Sequence, residues 1–288
     1  MAFRCGINPA NPMKNPTFTS NFCEKDKGVI KMGKQLVDKI LPVLDKIIWP
    51  QSEAMTQFGL QTYEMGMDWV DQYEEDVRVI QTAINTFKSS DSRPYALAGV
   101  AYLLTSLSKE KNGEYDQNGL DEAMKWLAAA QAIEADRPHI NFIEGQIYVF
   151  KGELENARTV LDYLHTQAPY IYRLNITEAL LQEKMGDLDG MESYYLEAER
   201  FADTVPQKVR IQAILGDSFM KVEAYEKALK YYKQAIYFNR EDPKLWHKKS
   251  LIYWRLQNYE DCKRCNDIVM RLSPNSCLLY TSPSPRDS

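Results

Sequence analysis

Tyr225 and Tyr259 stand 34 residues apart (259 − 225 = 34), and each is followed by a glutamate, Glu226 and Glu260. The same offset relates Val222 to Leu256, Phe219 to Tyr253 and Phe238 to Leu272. A period of this length narrows the possible folds sharply. Each copy must be one small unit that buries its apolar side against the next copy. Within residues 209–242, Leu215, Gly216 and Phe219 form one apolar stripe. Ala228, Tyr232 and Ala235 form a second, at spacings of 4 and 3 that place them on one helical face. Each copy therefore reads as two short amphipathic helices. Pro243 and Pro274 punctuate the copy ends, where one helix stops before the next begins.

Composition agrees with helices. Glycine and proline number only 13 each, scarce for a turn-rich β protein, while 18 Tyr and 5 Trp are a heavy aromatic load. Small residues such as Gly216, Ala228 and Ala235 suit close helix crossings, and aromatics such as Phe219 and Tyr232 fill the space between hairpins. The 44% hydrophobic content supplies a sizeable core. The net charge of -5 argues against a general nucleic-acid-binding surface. Cys5, Cys23, Cys262, Cys265 and Cys277 share no framework spacing, so a reducing compartment is expected. No apolar run approaches a bilayer span, and residues 1–20 hold no export signal, which together predict a cytoplasmic protein.

The repeated positions resemble the tetratricopeptide repeat family. Residues 209–242 match through Leu215, Gly216, Phe219, Tyr225, Ala228, Tyr232 and Ala235, with Arg240 where proline is usual. Residues 243–276 match through Trp246, Tyr253, Leu256, Tyr259, Leu272 and Pro274, and depart at Cys262 and Val269. Residues 138–171 carry Gly145, Tyr148, Gly152, Leu154, Ala157 and Pro169. Residues 172–208 carry Ala179, Met185, Gly186, Asp187, Leu188, Tyr195 and Ala198, with about three extra residues near Asp203 to Lys208. Residues 92–137 read as a copy with a stretched inter-helix turn, Ser106 to Gly119, marked by Asn112-Gly113 and Asn118-Gly119. The resemblance implies an all-α fold: a right-handed superhelical solenoid of stacked antiparallel helix pairs, with about five repeats over 92–276.

Residues 28–91 are expected to form an N-terminal helical cap, with one degenerate repeat as an option. Leu36, Val37, Ile40, Leu41, Leu44, Ile47 and Ile48 make an apolar stripe within Val29–Trp49, and Pro42 should end or kink that helix. The stripe either caps the first repeat or contacts a membrane surface or partner helix. Ser52 to Glu74 reads as a second helix with Ser52 as its N-cap, and Val77, Ile80, Ile84 and Phe87 mark a third. Residues 1–27 are a flexible extension, or upstream sequence ahead of a start at Met32. Residues 277–288 form a separate tail. Its segment Cys277 to Asp287 resembles a translated sequencing adapter, which implies a natural gene continuing past Ser276.

Signals for chemistry are thin. Gly28 to Lys34 fits a phosphate-loop spacing, but Gln35 stands where Ser or Thr is needed, and no strand precedes it. Cys262-x-x-Cys265 has metal-like spacing without a second pair. His139, His165 and His247 lie in different copies with no nucleophile near them, and Asn175-Ile176-Thr177 is a sequon on a predicted helix. No enzyme activity, cofactor or metal is expected.

The resemblance instead implies a groove lined by the first helix of each pair, holding a peptide or helix. The matching positions are Phe142, Gln146, Val149 and Phe150 in the middle, then Arg173, Lys184, Arg210, Lys221, Lys244, Lys248 and Arg255, interrupted by Glu183 and Asp217. This basic track is either a solvated face or a site for a protein partner with acidic segments. The Lys and Asn carboxylate clamp of some relatives is missing, which disfavours a co-chaperone role. A non-enzymatic scaffold or adaptor is expected; the other option is a docking region of a longer, truncated protein.

Overall fold

The computed structural model describes residues 32–72, 76–110 and 113–274. The Gly28 to Lys34 loop spacing, Cys5, Cys23, Cys277 and the adapter-like tail lie wholly or mainly outside these residues. Thirteen helices run through the described residues, and no strand longer than an isolated bridge occurs among them. Helix α1 is Met32–Leu44. Six hairpins follow: α2 Gln57–Asp71 with α3 Val77–Lys88, α4 Arg93–Leu107 with α5 Gln117–Gln131, and α6 Pro138–Lys151 with α7 Leu154–Gln167. Then come α8 Tyr172–Met185 with α9 Leu188–Arg200, α10 Val205–Lys221 with α11 Tyr225–Phe238, and α12 Pro243–Arg255 with α13 Tyr259–Leu272. Each helix packs on its hairpin partner, and each hairpin packs on the next.

The apolar stripe of α1 is spent inside the chain. Leu36, Val37, Ile40 and Leu44 are buried, and α1 packs on α4. Beyond the helix, Trp49 meets Trp126 of α5 edge-on, with ring centroids 6.0 Å apart. Of the two readings of the Val29–Trp49 stripe, cap or membrane or partner contact, the described residues favour the cap: the stripe of α1 is interior, while Val43 and Ile48 stand exposed at 52% and 88%. Pro42 lies inside α1, which ends two residues later.

Local chemistry sets the helix ends. The cap of α2 is Thr56, whose Oγ1 accepts from Gly59 N at 2.8 Å, not Ser52. The correction has a tertiary cause. Ser92 Oγ donates to Ala54 O at 2.6 Å and accepts from Thr56 N at 3.1 Å, which holds residues 52–56 extended. Asp76, Asp116, Asp187 and Asp242 cap later helices in the same manner. Thr204 and Gln207 form a reciprocal capping box. The extra residues near Asp203 lengthen α10 to 17 residues. Between α4 and α5 the chain makes an antiparallel bridge, Lys109 to Tyr115.

The turn inside four hairpins repeats one backbone feature. Gly152, Gly186, Glu223 and Gln257 all adopt left-handed φ, at +79°, +81°, +58° and +58°. Gly152 and Gly186 meet this without cost, whereas Glu223 and Gln257 carry a Cβ strain of roughly 1–2 kcal/mol each. Close crossings use glycine differently. A Cβ on Gly216 would lie 2.6 Å from the Tyr232 ring of α11. Gly216→Leu should therefore cost about 1–3 kcal/mol. A thermal melt with an unchanged midpoint would refute this crossing.

One buried group carries a proton near neutrality. Glu178 on α8 is 1% exposed, and its Oε1 has no hydrogen-bond partner among the described residues. Burial, and then the carboxylate of Asp162 on α7, raise its pKa to about 7. The folded pKa lies above the unfolded one. This site's contribution is thus full below about pH 4.5 and is lost as pH rises through about 7. The loss is on the order of 3 kcal/mol, and Glu178→Gln should abolish it. Urea midpoints at about pH 5 and about pH 8 check the point; equal drops in both proteins would sink it.

Candidate functional site: the face of the first helices

Arg173 on α8 reaches Glu64 on α2, a sequence separation of 109 residues and three hairpins along the stack. Such a contact requires the stack to curl with its first helices on the inside. Glu64, Asp68 and Asp71 share one face of α2, at positions i, i+4 and i+7. All three reach the same guanidinium: Arg173 pairs with Glu64 and Asp68 and lies 3.1 Å from Asp71 Oδ2. Arg210 on α10 pairs with the same Asp71 oxygen at 2.6 Å. Gln207 donates to Asp68 at 3.0 Å, and the Tyr102 hydroxyl of α4 donates to Asp71 at 2.6 Å. Tyr63 donates to His139 O at 2.9 Å, and His139 Nδ1 lies 3.5 Å from Glu64.

The Arg173 side chain is 3% exposed. Burial by itself would lower its pKa. Asp71 and Glu64, with Tyr102 and Asp68 behind them, outweigh burial and hold the pKa well above the ordinary arginine range. The rings of Tyr102 and Tyr172 lie 5.9 and 5.6 Å from its guanidinium carbon. The buried end of the expected basic track is thus paired within the chain.

The middle positions are also occupied from within. Phe142, Gln146 and Val149 are buried, and Phe142 meets Tyr102 edge-on at 6.1 Å. They are core residues of α6, which corrects their expected place in an open groove: the curl brings α4 and α8 over this face. Phe150 is half-buried and stacks on Tyr115 of the α4–α5 connection at 3.9 Å.

The C-terminal half differs. Lys184, Lys221, Lys244 and Arg255 are exposed, and Lys248 is half-exposed. Lys221 pairs with Glu183 at 2.9 Å, and Lys248 with Asp217 at 2.6 Å. Asp217 also accepts from Tyr232 at 2.6 Å, so it is tied to the track that it was expected to interrupt. The Arg255 guanidinium sits 5.2 Å from the Trp254 ring centroid. Burial lowers the Lys244 pKa. These ion pairs are solvated and exchange with little cost.

No described group of three or more His, Cys, Asp or Glu is arranged to hold a metal ion. Cys262 and Cys265 are buried, and burial pushes the Cys265 thiol up to about 11, which keeps it protonated. Asn175 and Thr177 are fully buried; Asn175 donates to Pro169 O and Ile171 O, which closes the sequon to modification in the folded chain. The residues that the sequence reading missed are Glu64, Asp68, Asp71, Tyr102, Tyr115 and Gln207. The only sequence trace of the first three is their i, i+4, i+7 acidic spacing on α2, opposite in sign to the track, which by itself names no partner.

The tetratricopeptide repeat family matches residues 209–242. Among curated relatives, the tetratricopeptide repeat protein 21 homolog of Caenorhabditis briggsae is 28% identical over 134 residues, covering 45% of this chain and 10% of the relative. The Caenorhabditis elegans homolog is 26% identical over 140 residues, with the same coverage of 45% and 10%. The chain thus spans about a tenth of the length of the curated relatives it matches. Two solved structures share the fold. One is PilW, a type IV pilus biogenesis factor, with TM-score 0.54 and 18% identity over 79% of this chain and 99% of that one. The other is the Cut9–Hcn1 hetero-tetramer of the APC/C, with TM-score 0.53 and 15% identity over 78% of this chain and 46% of that one. Repeat sequence, relatives and architecture agree: the chain carries a tetratricopeptide repeat at 209–242 and folds as a solenoid of stacked antiparallel helix pairs like those of tetratricopeptide repeat proteins.

Proposed function

We propose that the chain is a non-enzymatic scaffold that holds an acidic segment of a protein partner on the first-helix face of its last hairpins. The observation that carries this reading is the exposed basic run of Lys184, Lys221, Lys244, Lys248 and Arg255. It contrasts with Arg173, which is buried and paired inside the chain. A basic strip on a chain of net charge -5 steers acidic segments toward one region and repels them elsewhere. The tenth-length match to the relatives favours a second reading, in which these hairpins are one docking region of a longer protein. Both readings place the partner on the same strip.

Lys221→Glu with Arg255→Glu should weaken capture of a labelled glutamate-rich peptide by about three- to tenfold, with the helical circular dichroism signal unchanged. Fluorescence anisotropy at low salt measures this. An unchanged affinity would remove the strip as the site. Affinity purification with the intact chain then identifies the natural partner.

A further inference from the structure

We propose that Arg173 and Arg210 form a carboxylate-binding subsite for an acidic helix, and that the chain's own α2 occupies it as a stand-in for that partner. The proposal rests on reading the first-helix face as the partner groove. The occupant itself defines the ligand: a helix with carboxylates at i, i+4 and i+7, as in Glu64, Asp68 and Asp71.

Two separate sets of contacts hold α2. Its apolar side, with Tyr63, Met67 and Val70, is buried and packs on α3 and α4. Its acidic side meets α8 and α10 through the charged and polar side chains Arg173, Arg210 and Gln207, with Tyr102 of α4 on Asp71 and His139 of α6 near Glu64. The second set can open while the first keeps the hairpin folded. Glu64 and Asp68 are 36% and 27% exposed, so water reaches this edge of the cluster and their pairing with Arg173 is open to exchange, while Asp71 is 6% exposed. On the receiving side the Arg173 guanidinium is buried, 5.9 and 5.6 Å from the Tyr102 and Tyr172 ring centroids, and its Nε has no hydrogen-bond partner among the described residues. That leaves one buried donor that α2 does not satisfy and that an incoming carboxylate would meet. An internal occupant reduces the apparent affinity of an external one by the fraction of time the site is open.

The test uses a labelled synthetic peptide spanning residues 54–72 of this chain, and the same peptide carrying E64Q, D68N and D71N. In the full chain, E64Q/D68N/D71N should bind the acidic peptide about tenfold more tightly than the wild type does. Adding R173Q and R210Q should erase that gain, and the neutral peptide should show none. No gain, or an equal gain for the neutral peptide, overturns the proposal. If the triple variant loses its helical signal, hydrogen exchange on the unmutated chain decides. Saturating acidic peptide should speed exchange across residues 57–71, and unchanged exchange overturns the proposal. Capture of a glutamate-rich peptide through Lys221 and Arg255 without any of these effects removes the internal occupant and leaves the partner strip standing.

Discussion

A pair of helices of about thirty residues cannot bury its apolar side alone, so every hairpin here owes its stability to its neighbours. That constraint accounts for most of the interior. Tyr63, Phe87, Phe142, Phe219, Tyr231 and Tyr232 are all fully buried, and they sit where one hairpin meets the next or where two helices cross. Small residues at the crossings let the backbones approach; Gly216 does so against Tyr232. Helix α1 satisfies the same need at the N-terminal side, where Leu36, Val37, Ile40 and Leu44 cover α4.

Stacking sets a second condition. Each hairpin rotates slightly on the last, and the rotations add until α2 faces α8 and α10. Charges then meet that no single repeat holds together. Arg173 is buried deeply enough that an unpaired guanidinium there would be costly, and three carboxylates offset that cost. The polarity of the face therefore divides along the solenoid. Its first part is satisfied internally, and its last part presents lysines and arginines whose pairs are exposed and exchangeable.

The period in the sequence foretold the helix pairs and the small residues at crossings, because both depend on neighbours within one or two copies. Gly152 and Gly186 marked their turns plainly. Glu223 and Gln257 occupy the equivalent left-handed positions with no sign in their identity, because neither residue type favours that conformation. The cap of α2 was misplaced by four residues because Ser92, 36 positions away from Thr56, decides it. The Arg173 cluster was hidden for the same reason at greater range. A pattern of local spacings carries no account of the curl that brings residue 64 to residue 173. Hence Arg173 and Phe142 read as groove residues, while their true partners lay outside any one repeat.

The link from Glu64 to Arg173 also changes how the molecule comes apart. An open solenoid has only nearest-neighbour couplings, so it frays from its ends and its units melt nearly one by one. Here the second helix is fastened to the eighth and tenth. Loss of any hairpin between them breaks a closure that spans over a hundred residues. The first five hairpins thus share one fate, in the manner of a ring, while α12 and α13 lie outside the closure and pack on the α10–α11 hairpin alone among the described helices, Lys248 reaching Asp217 of α10. The exposed lysines and arginine of the basic strip lie partly on this end, outside the closure.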